Sequence, residues 1–323
     1  MKKIVLIGVG QLGSRHLQSL ALLENNLKIQ VVDPSDKSLK VSKQRFEEIE
    51  SNNSIKVEYL NTLYELDEEI DLCIVATTAN IRADVIKKII SNKKVKVFIL
   101  EKVLFQKISD FYEIKELLDE NNIKCWVNHP FRSYPIYKEL KKYFKHDLPV
   151  SYHLGGGQWG LGCNGLHYID HLAYLTNDYD LTIDISSLDK NIVDSKRKGF
   201  IEFTGKLIGS LGKHNFILHS EKYDAPITIT IQNENIKVIL DEVSGWLKVS
   251  KKENDWKWED INEKIMYFQS ELTYKVVQDI FSKNTCDLPT YEEAIKLHKP
   301  FLNALIEHLN ITQNKNNELC PIT

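Results

Sequence analysis

The chain has 323 residues, 42 Lys and Arg against 45 Asp and Glu, and a formal net charge of −3. At about 100–200 residues per domain, that length implies two domains, each able to bury its own core. A composition of 42 % hydrophobic and 27 % charged residues excludes extended disorder, and the near-neutral balance excludes a surface built around nucleic-acid phosphates.

The first hundred or so residues alternate short apolar runs with helical patterns. Ile4–Ile7 reads as a buried strand and 13–23 as a helix. Ile29–Val32 is a second strand, ending at Asp33-Pro34. A charged helix over 37–50 follows, then strands at 55–59 and 72–76, a helix at 79–91 and a strand at 95–100. A helix at 110–120 and a strand at Lys124–Val127 complete the pattern. Strands of four to six residues alternating with longer helices are βαβ units, hence a doubly wound parallel sheet covered on both faces.

The pattern changes after residue 127. His129-Pro130-Phe131-Arg132-Ser133-Tyr134-Pro135 is stiff and irregular, because each Pro biases its predecessor away from helix. A helix over 136–144, an extended run at 150–154 and a glycine-rich loop at 155–162 follow. Six short extended runs at 200–203, 207–211, 215–219, 227–231, 236–240 and 246–249 are punctuated by turn residues, the signature of an antiparallel meander. Helical stretches near 264–282 and 291–309 close the fold, and the polar stretch 312–323 is expected to fray. The expected fold class is thus α/β: a Rossmann domain over 1–127, then an α+β domain over 128–311 with a large, mostly antiparallel open sheet.

No stretch approaches the ~18 apolar residues of a membrane span. The five cysteines are scattered and form no C-x-x-C pair, so they read as free thiols in a reducing compartment. The chain reads as cytoplasmic, with no membrane or nucleic-acid partner.

Gly8-Val9-Gly10-Gln11-Leu12-Gly13 is G-x-G-x-x-G, directly after an apolar strand and opening a helix. In that context Gly8 makes the tight turn, Gly10 lets backbone approach a pyrophosphate, and Gly13 allows close helix–strand contact. The helix N-terminus offers Gln11 and Leu12 and a positive dipole end to the anion. Asp33, 20 residues after Gly13, would accept from ribose hydroxyls and repel a 2′-phosphate, favouring NAD without excluding NADP. A plain glycine-rich βα turn is the alternative reading.

Glu101-Lys102 follows the strand at 95–100. The carboxyl ends of parallel strands face the ligand crevice, so Lys102 would project towards a nicotinamide and exchange a proton with a substrate hydroxyl. In 163–174, a helix places Leu166, Ile169 and Ala173 on an apolar stripe, with Cys163, His167, Asp170, His171 and Tyr174 on the adjoining side. His167-x-x-x-His171 has zinc spacing but no evident third ligand, so no metal is assigned.

Together these features resemble the Gfo/Idh/MocA family of NAD(P)-dependent oxidoreductases. The matching pieces are the glycine turn, Ala76-Thr77-Thr78, Glu101-Lys102-Val103 at the E-K-P position, Asn128-His129-Pro130-Phe131-Arg132, Gly165-Leu166-His167-Tyr168-Ile169-Asp170, and Leu288-Pro289-Thr290-Tyr291-Glu292-Glu293-Ala294. The resemblance implies hydride transfer at a sugar or nucleotide sugar, in a setting such as surface-glycan biosynthesis, with Lys102 and His167 as acid/base groups. It also implies Glu101 at the nicotinamide ribose, Thr77 near the nicotinamide, and a homodimer or homotetramer built on the outer face of the C-terminal sheet. Substrate candidates are Phe131, Arg132, Tyr134, Trp159, Cys163, Asn164 and Asp170. Two departures stand out: Val103 replaces the usual Pro, and Cys163 replaces the usual Asp four residues before His167. A cofactor-binding regulator of the same fold is the competing expectation.

Overall fold

The computed structural model describes residues 1–24, 26–50, 54–144 and 148–323. Contacts divide them into two compact units. The first gathers 1–105, 109–130 and 267–291, and the second 106–108, 131–266 and 292–323. The sequence expectation of one cut at 127/128 therefore misses a segment near the C-terminus that rejoins the first unit.

The first unit is built on strands β1 (Lys2–Ile7), β2 (Leu27–Val32) and β3 (Ile55–Leu60), with helices α1 (Gln11–Leu20) and α2 (Asp36–Glu47) between them. A short strand β4 (Glu69–Ile70) precedes β5 (Leu72–Val75), helix α3 (Ala79–Asn92) follows, and β6 (Lys94–Val95) leads into β7 (Val97–Leu100). Helix α4 (Ile108–Glu120) and strand β8 (Lys124–Val127) complete the repeat. The main sheet has the order β3-β2-β1-β5-β7-β8, all parallel, while β4 and β6 form a separate parallel pair. β1, β5 and β7 are buried along nearly their whole length, as a sheet covered on both faces requires. The chain leaves β1 for β2 on one side and reaches β5 on the other. The carboxyl edge of β1 and β5 is thus the switch point where doubly wound sheets hold ligands. Helix α7 (Thr273–Lys283) shares this unit's core through Val276, Val277 and Ile280, and its Tyr274 N–H donates to Ser19 Oγ on α1 at 2.9 Å.

The second unit contains helix α5 (Pro135–Lys141), strand β9 (Ser151–Gly157), helix α6 (Leu161–Thr176) and strand β10 (Leu181–Asp184). It continues with β11 (Val193–Asp194), β12 (Ile201–Glu202), β13 (Gly205–Leu211), β14 (His214–Glu221), β15 (Thr228–Gln232), β16 (Ile236–Asp241), β17 (Trp246–Lys251) and β18 (Trp258–Ile261). Helix α8 (Tyr291–Gln313) closes it. The large sheet has the order β10-β13-β14-β9-β15-β16-β17-β18, antiparallel except for the β14–β9 pair. The α/β class and the large, mostly antiparallel second sheet are as the sequence implies.

Three details correct the sequence reading. The glycines at 155–157 are strand, not loop: β9 runs centrally through Gly157, where a Cβ would meet Tyr223 O at 2.1 Å. Only glycine lets β9 pass so close to the 223–225 backbone. The run at 200–203 is not part of the large sheet; β12 pairs with β11 in a hairpin, and β10 and β18 are the strands the meander lacked. The stretch 312–323 is docked rather than frayed. Cys320 and Ile322 are buried, Cys320 N–H donates to Gln106 O at 3.1 Å, and Gln106 Nε2 donates to Ile322 O at 2.9 Å. Among the described residues, no helix is long and apolar enough to cross a membrane.

Candidate functional site

Four connections at the carboxyl edge of the first sheet, after β1, β2, β5 and β7, carry predicted site residues. After β1, Gly8 takes φ +82°, and its N–H donates to Val32 O at 2.9 Å. A Cβ on Gly13 would fall 1.8 Å from Gly8 O, so α1 can press against the turn only through glycine. Gly10, which caps α1, has no atom within 4 Å of a built Cβ. That open space beside the first N–H groups of α1, which have no acceptor within the helix, fits a pyrophosphate. Gln11 and Leu12 form the first turn; Gln11 Oε1 accepts from Arg45 at 2.9 Å, and Leu12 is exposed.

Asp33 follows β2 and ties the turn together. Its Oδ2 accepts from Val9 N–H at 2.8 Å and its Oδ1 from Ser35 N–H at 2.9 Å. Each oxygen keeps a further lone pair for a ribose hydroxyl. Thr77 follows β5, and its Oγ1 is buried with no hydrogen-bond partner among the described residues.

Glu101 follows β7 and is 3 % exposed. His16 Nε2 reaches its Oε1 at 2.8 Å, and Asn128 Nδ2, after β8, donates to the same oxygen at 2.5 Å. A carboxylate only accepts, so His16 carries its proton on Nε2, while Nδ1 meets Thr273 Oγ1 of α7 at 2.8 Å. Burial alone would raise the Glu101 pKa, but the His16 contact, with Asn128 and the nearby Arg82, more than offsets it and holds the carboxyl below its usual value. Both donors use Oε1, and Oε2 has no hydrogen-bond partner among the described residues, which leaves it free to accept from a ligand.

Lys102 is half-buried directly after this anchored carboxylate. The next stretch is pinned by Arg82 of α3, 1 % exposed, which donates to the carbonyls of Val103, Leu104 and Thr77. The Lys102–Val103 peptide is cis. His16, Arg82, Asn128 and Thr273 were not singled out for roles in the sequence. Asn128 stands in a quoted motif, and only a strand-end position marks it.

In the second unit, His167 lies on α6, half-buried, its ring 5.6 Å from that of Phe131. Phe131 also packs against Tyr134, Tyr137, Tyr168 and His171 at 5.4–5.6 Å between ring centres. Phe131 and Tyr134, both nearly buried, are therefore packing residues rather than exposed substrate contacts.

Arg132 and Asp170 are spent on each other. Nε donates to Oδ2 at 3.0 Å and Nη2 to Oδ1 at 2.7 Å, with Asp170 fully buried. Burial works against the guanidinium charge, yet Asp170 pushes the Arg132 pKa above its usual value. Arg132 and Asp170, both named as substrate candidates from the sequence, thus form a buried ion pair with each other. Nearby, burial pushes His171 down to about 3 and Glu242 up to about 7; Glu242 accepts from Tyr137 at 2.6 Å and Tyr168 at 3.4 Å.

Trp159, Cys163 and Asn164 do come together, lining a cavity of about 630 Å³ within the second unit. Trp159 Nε1 donates to His219 O at 2.8 Å, Asn164 Nδ2 to Trp159 O at 2.7 Å, and the Cys163 thiol to Thr323 O at 2.7 Å. Among the described residues, no group of three or more His, Cys, Asp and Glu is arranged for a metal ion.

Among curated proteins, none matches the chain by sequence. Solved structures share its fold. An oxidoreductase from Agrobacterium radiobacter, in complex with NAD+, L-tartaric acid and magnesium, matches at 15 % identity and TM-score 0.71, covering 93 % of this chain and 94 % of that one. The UDP-N-acetylglucosamine 3-dehydrogenase GnnA from Acidithiobacillus ferrooxidans matches at 12 % identity and TM-score 0.70, covering 94 % and 96 %. A super-repressor mutant of Gal80p from Saccharomyces cerevisiae matches at 14 % identity and TM-score 0.70, covering 98 % and 99 %. The family model of the Gfo/Idh/MocA oxidoreductases, NAD-binding Rossmann fold, matches residues 2–129. That match spans the stretch that carries the glycine turn, Asp33 and Glu101 on one sheet edge, and over it the chain is similar to the NAD-binding Rossmann domain of that family.

Proposed function

We propose that the chain catalyses NAD-dependent hydride transfer at a hydroxyl or keto carbon of a sugar or nucleotide sugar. The observation that carries this reading is the half-used carboxylate at the switch-point edge. Glu101 is fixed by His16 and Asn128 on one oxygen, keeps the other open, and is followed at once by Lys102. NAD, when bound, supplies the hydride acceptor, and the chain supplies binding, orientation and proton transfer.

The α1 N-terminus and Gly10 would hold the pyrophosphate, and Asp33 would accept from the adenosine ribose. Glu101 Oε2 would accept from the nicotinamide ribose, and the Thr77 hydroxyl would face the nicotinamide end. Lys102 takes the carbinol proton, and His167 on α6 is the second acid/base group. The substrate meets Trp159, Cys163 and Asn164, whereas Arg132 and Asp170 form a buried ion pair.

The test is a panel of sugars, inositols and nucleotide sugars with NAD and NADP, read at the reduced-nicotinamide absorbance. Turnover with NAD supports the reading. NAD binding without turnover on any member favours the regulator, a reading to which Cys163 at the usual Asp position and the fold shared with Gal80p give some support. We also assign self-association to the outer face of the large sheet. Light scattering should then give a mass above the 37.5 kDa of one chain, and a single-chain mass at micromolar concentration would refute it.

A further inference from the structure

The 630 Å³ cavity of the second unit falls within the roughly 300–1,000 Å³ range of small-molecule sites. Its apolar side is formed by Trp159, Phe203 and Val193. Its cationic side comes from Lys196 and Arg197, in the hairpin between β11 and β12, and from Lys222 after β14.

The charges on this wall are not equally committed. Lys222 is shared with Asp189 at 3.4 Å. Glu202 is bound to the Gly162 and Cys163 N–H groups at 2.7 and 3.0 Å, so it occupies the start of α6. Asp194 is the remaining acid on the wall. Lys196 and Arg197 are exposed, and neither side chain has a hydrogen-bond or ion-pair partner among the described residues. Of the five arginines, Arg15 meets Gln18, Arg45 meets Gln11, Arg82 holds three carbonyls and Arg132 holds Asp170. Arg197 alone keeps its guanidinium uncommitted among the described residues. A planar fork beside a point charge is the pairing that suits phosphate oxygens.

We propose that this cavity binds the nucleoside diphosphate part of a nucleotide-sugar substrate, with Lys196 and Arg197 on the phosphates and the Trp159–Phe203–Val193 side against the nucleobase. The assignment deepens the hydride-transfer reading and rests on it for the word substrate. Its geometry stands within the second unit. α6 contributes Cys163 and Asn164 to the cavity wall and His167 one turn further on, so a ligand anchored by its phosphates directs its sugar along α6 towards His167. A neutral sugar alone would leave both cations without a partner.

The experiment is a calorimetric titration of the full chain, saturated with NAD so that the Rossmann site is filled, with uridine 5′-diphosphate as the probe. Binding is expected, weakened on the order of 10- to 100-fold by Lys196→Ala with Arg197→Ala, with NAD affinity of the same variant unchanged. Added salt should weaken it too, and inorganic pyrophosphate should bind less tightly than the nucleotide. Absence of binding, or equal binding to the double variant, overturns the proposal. Turnover of neutral sugars without diphosphate binding would sink this assignment and leave hydride transfer standing. Diphosphate binding lost in the variant, with no turnover of any nucleotide sugar, would keep the cavity and sink hydride transfer.

Discussion

Two carboxylates, one in each unit, are buried to almost the same degree and used in opposite ways. Glu101 in the first unit receives both its donors on Oε1 and keeps Oε2 open. Asp170 in the second unit gives one oxygen to each arm of the Arg132 fork, so neither oxygen is without a donor. Burial is common to the two; what differs is how their two donors are distributed, both on one oxygen of Glu101 and one on each oxygen of Asp170. A third carboxyl, Glu242, has two phenols for partners among the described residues, and burial lifts it to about 7. Its site has neither a counter-charge nor an anchored open oxygen.

The largest effect expected from this contrast is on Arg132. Arg132→Ala strands the Asp170 charge in the interior and should cost about 3–5 kcal/mol, read as a lower urea midpoint at unchanged slope. A loss below about 1 kcal/mol would mean that the pair is not structural.

Glu242 comes next. The folded protein holds its proton more tightly than the unfolded chain does, so its contribution falls as pH rises from about 4.5 to about 7 and is flat above. His171, held near 3, gives the opposite slope below about 6.5. The difference between wild type and Glu242→Gln isolates the first group: the variant should gain about 1–3 kcal/mol relative to wild type between pH 5 and pH 8. A difference that does not change with pH would contradict the assignment.

Glu101→Gln should cost less stability than Arg132→Ala, roughly 1–2 kcal/mol, because the amide oxygen can still accept from His16 and Asn128, without charge assistance, and no charge is stranded. It should nonetheless depress kcat. Smallest is Asp33→Ala, which should weaken NAD by about tenfold, near 1.4 kcal/mol, and narrow its margin over NADP. Tighter NADP binding to the unmodified chain would refute the ribose role of Asp33.

The sequence exposes features whose parts are close along the chain. The glycine turn, Asp33 and the Glu101-Lys102 step each follow a strand directly, and the strand ends bring them to one edge. Hidden were the partners that folding brings from afar. His16 lies 85 residues from Glu101 and 257 from Thr273. No local pattern announces that α7 crosses back to the first unit to supply that threonine. The same blindness affected Arg132, whose occupant is 38 residues away. In β9 a local signal misled, since glycines normally mark loops; here they serve a central strand crossed closely by the 223–225 backbone.

The central claim is that the Rossmann edge binds NAD and that Lys102 moves the proton of the carbinol. Its most direct test is Lys102→Ala, measured for NAD affinity and for single-turnover rate on a substrate the unmodified protein reduces or oxidises. The account predicts NAD affinity within about twofold of wild type and a rate lower by a factor on the order of 10²–10⁴. An unchanged rate would contradict it.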